Sequence, residues 1–172
     1  MLKKMNEKIF KLMLRIFPSY IYSKKLNSLK NIFAKKVLKN VQGQINFGKN
    51  IRMSMDISFG VRSGIGDDAL LNGPIIFGDD VMMGPNVRIY RRNHAYQKTD
   101  IPMTQQGMTV AKLLRVGNDV WIGDGVMILP GCTKIGEGSV IGAGTVLAKD
   151  VPPYAVVVGN PGKIVKFRKN NK

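Results

Sequence analysis

The chain has 172 residues, enough for one domain with an appendage, and 44% of them are hydrophobic, as in a folded protein. No stretch reaches the roughly 18 uncharged apolar residues that a membrane-spanning helix needs, so an integral membrane protein is not expected. A single cysteine, Cys132, excludes an internal disulfide, and a single histidine, His94, leaves too few ligands for a metal site built on histidine or cysteine. We therefore predict no metal cofactor.

Charge and glycine content divide the chain near residue 41. The net charge is +16, and residues 1–40 carry +10 of it, with eleven basic residues and one acidic residue. All 19 glycines lie at position 43 or later. We predict a basic helical N-terminal extension over residues 1–40, a folded domain over residues 41–168 and a C-terminal tail over residues 169–172.

The extension is expected to form two amphipathic helices. In residues 5–17 the apolar residues recur at helical spacing, and Pro18 is expected to end that helix. A second basic helix is predicted from Lys24 to Lys39. Charged residues interrupt any signal-peptide core, so no signal peptide is expected. Such helices pack on the end of the domain, pack on a partner subunit or lie on an anionic membrane surface. No nucleic-acid partner is expected, because no recognition motif accompanies the charge.

From residue 41 the sequence has a period of six. A helix of 3.6 residues per turn would carry such a stripe around its surface, whereas short strands joined by corners can direct one side chain per hexad into a shared core. The pattern breaks over residues 95–115 and resumes with one extra residue at Lys134. We predict an all-β parallel solenoid of about five three-sided coils with a long loop at 95–115. The first nine repeat positions are Val41, Phe47, Met53, Phe59, Ile65, Leu71, Phe77, Met83 and Ile89.

Several motifs resemble a known family. They are RNHAY at the start of the long loop, GNDVWIG (117–123), IGAGTVLAKDVPP (141–153) and GNPGKIV (159–165). Over residues 41–168 the chain resembles the hexapeptide-repeat, left-handed β-helix acetyltransferases, in the branch of galactoside, maltose and surface-polysaccharide O-acetyltransferases. The resemblance implies left-handed coils, acetyl-CoA as co-substrate and a homotrimer with active sites between subunits. Ala148 departs from the family, which commonly has threonine there.

The resemblance also implies roles for individual residues. His94 matches the catalytic histidine, a general base for the attacking hydroxyl, and an imidazole suits this role at neutral pH. Asn72 and Asn93 are expected to contact the acceptor. The mouth of the site is expected to be surrounded by Tyr90, Arg91, Arg92 and Asn93, which would suit an anionic or nucleotide-linked glycan. The residues expected to contact the cofactor are Trp121, Gly123, Gly125, Gly142, Ala143, Lys149 and Lys166.

We therefore predict a cytoplasmic, acetyl-CoA-dependent O-acetyltransferase that acts on a sugar of a bacterial surface polysaccharide or its precursor. The basic extension is a candidate for peripheral contact with the inner face of an anionic membrane. Two enzyme alternatives stay open, namely an N-acetyltransferase acting on a nucleotide-linked amino sugar and an acyl-carrier-protein-dependent acyltransferase. A structural β-helix without activity is the alternative from outside the enzyme classes.

Overall fold

The computed structural model describes residues 2–168, which form two helices followed by a parallel β-solenoid. Helix α1 spans Leu2–Ile16 and α2 spans Lys24–Val37. Ser23 begins α2 as its N-cap, since its hydroxyl accepts a hydrogen bond from the backbone N–H of Leu26. Neither helix within residues 2–168 has the length and apolarity needed to cross a membrane.

The strands of the solenoid are short, because each is one side of a coil. The first coil contains β1 (Asn40–Val41), β2 (Asn46–Phe47) and β3 (Arg52–Met53), and the second contains β4 (Ile57–Phe59), β5 (Gly64–Ile65) and β6 (Leu70–Asn72). The third coil contains β7 (Ile75–Phe77), β8 (Met82–Met83) and β9 (Arg88–Tyr90), and the fourth contains β10 (Leu114–Val116), β11 (Trp121–Ile122) and β12 (Met127–Ile128). The fifth coil contains β13 (Lys134–Ile135), β14 (Val140–Ile141) and β15 (Val146–Leu147). They are followed by β16 (Ala155–Val158) and β17 (Lys163–Phe167).

Strands of successive coils stack in parallel and generate three faces. The first face contains β1, β4, β7, β10 and β13, and the third contains β3, β6, β9, β12 and β15. The second contains β2, β5, β8, β11, β14 and β16, with β17 antiparallel at its end. The predicted solenoid is confirmed. It extends beyond the five predicted coils, because Val151 bridges to Ile135 on the first face and β16 then pairs with β14 on the second face.

The repeat positions fill the interior with stacked side chains. Phe47, Phe59 and Phe77 come from successive coils, with ring centroids 6.5 Å and 5.0 Å apart. Phe10 of α1 continues this column, and its ring meets Phe47 edge-on at 5.7 Å. The core of the solenoid therefore continues into the helices.

The two helices close the first coil of the solenoid, which is one of the arrangements expected from the sequence. Lys30 of α2 is fully buried, and its ammonium group donates to the carbonyls of Pro18 (2.8 Å), Gly48 (2.8 Å) and Phe47 (3.4 Å). Desolvation lowers the pKa of Lys30 to about 8. A buried cation therefore joins α2, the turn after α1 and the first coil.

The extra residue of the repeat is accommodated in the corner between β12 and β13. Lys134 lies within β13 and pairs with Arg115 of β10. The preceding turn absorbs the additional residue, and in it the N–H of Cys132 donates to the carbonyl of Leu129 at 3.0 Å.

Candidate active site

The break in the repeat forms an antiparallel arm, defined here as residues 91–113. It leaves the solenoid after β9, at the corner between the third and first faces, and returns to β10. The N–H of Lys112 donates to the carbonyl of Arg91 (2.9 Å), and the N–H of Thr109 donates to that of Asn93 (2.8 Å). A 3₁₀ turn, Met103–Gln105, lies farther out. The long loop predicted at 95–115 is therefore a two-stranded ribbon at its base.

His94 stands on this ribbon, where it forms an antiparallel bridge with Met108. Its side chain is exposed, and no residue between 2 and 168 hydrogen-bonds its imidazole. The neighbouring Asn93 is fixed on both backbone groups, because Thr109 Oγ1 accepts from its N–H (2.9 Å) and donates to its carbonyl (3.1 Å). The ribbon thus positions the backbone of His94 and leaves the imidazole accessible to a substrate.

The corner that carries the arm also contains two other predicted site residues. Asn72 is the last residue of β6 and pairs with Tyr90 of β9, directly before the arm. Lys149 follows β15 at the same corner, two coils farther along, and its side chain is exposed. Neighbouring coils stack about 4.8 Å apart, so Asn72 and Lys149 lie in one column at the corner from which the arm leaves.

The glycines expected to contact the cofactor lie at a different corner, between the second and third faces. The N–H of Gly123 donates to the carbonyl of Ile141 at 2.8 Å, and a Cβ on Gly123 would lie 2.7 Å from the nitrogen of Ala143. Gly125 has φ +65°, and nothing lies within 4 Å of the place that a Cβ would occupy. Gly142 is half-buried in the same column. Close stacking therefore requires glycine at 123, whereas the surface at 125 is open.

Ala143 adds a second feature to this glycine corner. It is exposed, and its N–H donates to no backbone carbonyl in residues 2–168. An exposed peptide N–H beside an open glycine corner can donate to a bound carbonyl or to an oxyanion.

Within one chain the two corners lie at opposite edges of the third face. His94, Asn72 and Lys149 are at one edge, and Gly125 and Ala143 are at the other. Trp121 lies on the second face, and its relative exposure is 52%. Lys166 lies on β17 and is also exposed. A single chain therefore keeps His94 apart from the glycine corner, although Lys149 lies on the same edge as His94.

Of the four residues expected at the mouth of the site, Arg91 does not face an acceptor. Arg91 is fully buried and donates to four backbone carbonyls, so its guanidinium is not available to a substrate. Cys132 is also buried, and desolvation raises the pKa of its thiol to about 12, which removes it as a nucleophile. Residues 2–168 contain no cluster of three or more histidine, cysteine or acidic side chains that would hold a metal.

One cavity was not predicted from the sequence. It has a volume of about 520 Å³ and lies between the turn that joins the helices and the second face, where Tyr20, Arg62 and Met82 line it. These residues are far apart in the sequence, so no local motif marks the cavity.

Comparisons with known proteins agree with this architecture. Residues 114–149 match the bacterial transferase hexapeptide family model of six repeats. The chain is 33% identical over 121 residues to the galactoside O-acetyltransferase of Escherichia coli (strain K12). The aligned region covers 70% of this chain and 56% of the relative. The matched regions cover between 30% and 56% of the length of the curated relatives.

Solved structures are similar over nearly the whole chain. A galactoside acetyltransferase in complex with coenzyme A has a TM-score of 0.77 at 24% identity, covering 98% of this chain and 81% of that chain. A maltose O-acetyltransferase from Clostridium difficile 630 has a TM-score of 0.66 at 27% identity, and the match covers 98% of this chain and 87% of that chain. These similarities confirm the predicted β-helix fold of the hexapeptide acetyltransferases.

Proposed function

We propose that the chain transfers an acetyl group from acetyl-CoA to a hydroxyl of a sugar, since residues 114–149 match the bacterial transferase hexapeptide family. The observation that carries this proposal is the arm. It interrupts the solenoid between the third and fourth coils, and it holds the one histidine of the chain, His94, exposed on an arm that leaves from the same corner as Asn72. A structural solenoid would have no need of such an interruption.

The residues of the site suit direct transfer of the acetyl group from the thioester to the sugar hydroxyl, without an acyl-enzyme intermediate. His94 takes the proton of the sugar hydroxyl as its oxygen attacks the thioester carbonyl, and then returns a proton to the departing thiolate. Asn72 and Asn93 orient the acceptor by hydrogen bonds. The open corner at Gly125 admits the pantetheine arm of acetyl-CoA, and the free N–H of Ala143 donates to the oxyanion. Trp121, Lys149 and Lys166 are exposed and accessible to the rest of the cofactor.

An acceptor screen tests this activity. We would measure release of the CoA thiol from acetyl-CoA in the presence of galactosides, maltose and nucleotide-linked amino sugars. Transfer to hydroxyl sugars supports O-acetylation, whereas exclusive transfer to amino sugars supports the N-acetyltransferase. If calorimetry detects no binding of acetyl-CoA, the proposal fails, and the structural β-helix and the acyl-carrier-protein-dependent acyltransferase remain.

We further propose a homotrimer whose sites form between subunits. The support is the separation of His94 from Ala143 across the third face of one chain, since a neighbouring subunit can supply the missing edge. Mixing tests this directly. His94→Ala and Ala143→Asp should each be inactive, and refolding them together at equal amounts should restore about a quarter of wild-type activity, because random assembly leaves that share of sites intact. Absence of any recovery would place both residues in one chain's site.

We also propose that the enzyme works in the cytoplasm, with helix α1 on the inner face of an anionic membrane. The residues exposed on α1 support this. An apolar stripe recurs at intervals of three and four residues, and an exposed basic stripe runs beside it, as in interfacial helices. The apolar stripe contains Leu2, Met5, Ile9, Leu12 and Ile16, and the basic stripe contains Lys4, Lys8, Lys11 and Arg15.

A further inference from the structure

The arm is attached to the solenoid by a buried guanidinium. Arg91 is completely inaccessible to solvent, although it is a charged residue at the start of an exposed arm. Its Nε donates to the carbonyl of Lys112 at 2.7 Å, and its Nη1 donates to those of Tyr90 (3.2 Å) and Leu129 (3.1 Å). Nη2 donates to the carbonyl of Pro130 at 3.4 Å. All four acceptors are backbone groups.

These carbonyls belong to two different parts of the fold. Tyr90 and Lys112 are the residues where the arm leaves and returns, whereas Leu129 and Pro130 form the corresponding corner of the next coil. The planar guanidinium of Arg91 therefore fixes both ends of the arm to the solenoid. The ammonium group of a lysine could not make these hydrogen bonds in the same geometry.

The other side of Arg91 rests on Gly73, in the corner of the preceding coil. A Cβ on Gly73 would lie 2.5 Å from the Cβ of Arg91 and 2.7 Å from its Cγ, so no larger residue fits there without displacing the arginine. Gly73 also has φ +110°, a conformation that glycine adopts without strain. Arg91 is thus held between two coils.

His94 depends on this attachment for its position. It lies three residues after Arg91 on a ribbon of two strands, and a two-stranded ribbon has little stability of its own. The first hydrogen bond of the ribbon, from Lys112 N to the carbonyl of Arg91, joins the residues that the guanidinium also links. Movement of the ends of the arm would therefore move the imidazole.

We propose that Arg91 is a positioning residue, which holds the arm so that His94 reaches the acceptor and which itself touches neither substrate. The expected effect on catalysis rests on the proposed function, whereas the attachment of the arm by Arg91 does not. A positioning loss of this kind lowers the rate of the chemical step more than it lowers the affinity for acetyl-CoA.

The first test is Arg91→Lys, which keeps the charge and the aliphatic stem but loses the fork. We expect kcat to fall by about tenfold to a hundredfold, with the Kd of acetyl-CoA changed less than about twofold. The matched control is Arg115→Lys, an exposed arginine on β10, which should retain wild-type kcat. If Arg91→Lys retains wild-type kcat as well, the proposal is overturned.

A double-mutant comparison separates positioning from general support of the fold. In a His94→Ala background, Arg91→Lys should cause no further loss of kcat, because the group that it positions is already absent. An equal loss in both backgrounds would show that Arg91 acts elsewhere and would overturn the proposal.

Amide hydrogen exchange tests the attachment independently of activity. In full-length Arg91→Lys, and in Arg91→Gln should the lysine variant fold poorly, exchange should accelerate at Asn93, Ala95 and Thr109 but not in β4 or β7. Unchanged exchange in the arm overturns the proposal. If the wild type acetylates no acceptor, the proposed function fails, and the exchange result alone then decides whether Arg91 anchors the arm.

Discussion

Asn31 of α2 pairs with Ile45 as a neighbouring β-strand would. The N–H of Ile45 donates to Asn31 Oδ1 at 2.7 Å, and Asn31 Nδ2 donates to the carbonyl of Ile45 at 2.8 Å. One helical turn earlier, Asn27 accepts a hydrogen bond from the N–H of Phe47 and donates one to the carbonyl of Ile45, each at 3.0 Å. Both asparagines are buried. Two side chains of a helix thus satisfy the backbone at the start of the solenoid, where no earlier coil exists.

Replacement of Asn31 by alanine should therefore destabilise the protein. The carbonyl of Ile45 would keep Asn27 as a donor, but the N–H of Ile45 would be left buried without an acceptor. We expect a loss of about 1–3 kcal/mol in the free energy of unfolding, measured by urea denaturation. Ser28→Ala, at an exposed position of the same helix, is the control and should cost less than about 0.5 kcal/mol. A loss at Asn31 no larger than at Ser28 would contradict the role given to this pair.

The sequence predicts the solenoid well and its attachments poorly, for a physical reason. Each hexad places its own apolar residue in the core, so a six-residue period is visible in any local window, as at Phe59 and Phe77. Asn31 and Arg91 act on backbone groups that are distant in the sequence, and in a linear reading they look like ordinary polar surface residues. The break in the period predicts a loop at 95–115, close to the observed arm at 91–113, but it does not reveal the pairing within the arm.

The burial of Lys30 should make stability depend on pH. Its pKa is lowered to about 8 in the folded protein, whereas lysine in an unfolded chain titrates near about 10.4. Between these values the unfolded state binds more protons than the folded state, so the free energy of unfolding rises with pH. Below about pH 8 the folded protein carries the full cost of burying the ammonium group. As the pH rises toward 10 this cost disappears, and the free energy of unfolding increases by on the order of 3 kcal/mol.

The measurement compares urea unfolding of the wild type and of Lys30→Met between pH 7.5 and 10. The wild type should gain stability relative to the variant as the pH rises, because only the wild type loses a buried charge. Lys35→Met, which changes an exposed lysine of the same helix, should follow the wild type. Parallel curves for the wild type and Lys30→Met would show that Lys30 is not titrating in this range.

Helix α1 should bind vesicles that contain anionic lipid. We expect the full chain to cosediment with phosphatidylcholine vesicles containing 30% phosphatidylglycerol and not with phosphatidylcholine alone. Replacing Lys8 and Arg15 by glutamate should lower the partition coefficient by at least about tenfold, since each basic residue near such a surface contributes about 1 kcal/mol. Arg115→Glu with Lys134→Glu removes the same charge from the first face and is the control.

The apolar stripe makes a separate contribution to this binding. Ile9→Ser with Leu12→Ser keeps the charge of α1, so any loss of binding reports burial of these side chains in the lipid interface. Both residues are exposed in the folded chain, and the fold should therefore tolerate the change. If binding survives these two changes but is lost on charge reversal, the contact is electrostatic only and the helix does not insert.

The sharpest prediction concerns His94→Ala. A positioned general base typically contributes about 10²–10⁴ to the rate, so kcat should fall by that factor. The melting temperature should hardly change, because the imidazole is exposed and makes no hydrogen bond within residues 2–168. Affinity for acetyl-CoA should also be retained, since the proposed contacts lie elsewhere. Lys149→Ala should show the opposite behaviour, weakening acetyl-CoA binding with a smaller effect at saturation. A His94→Ala protein with wild-type turnover on its best acceptor would exclude the histidine as the base, while the solenoid, which rests on the six-residue period and the strand pairing, would stand.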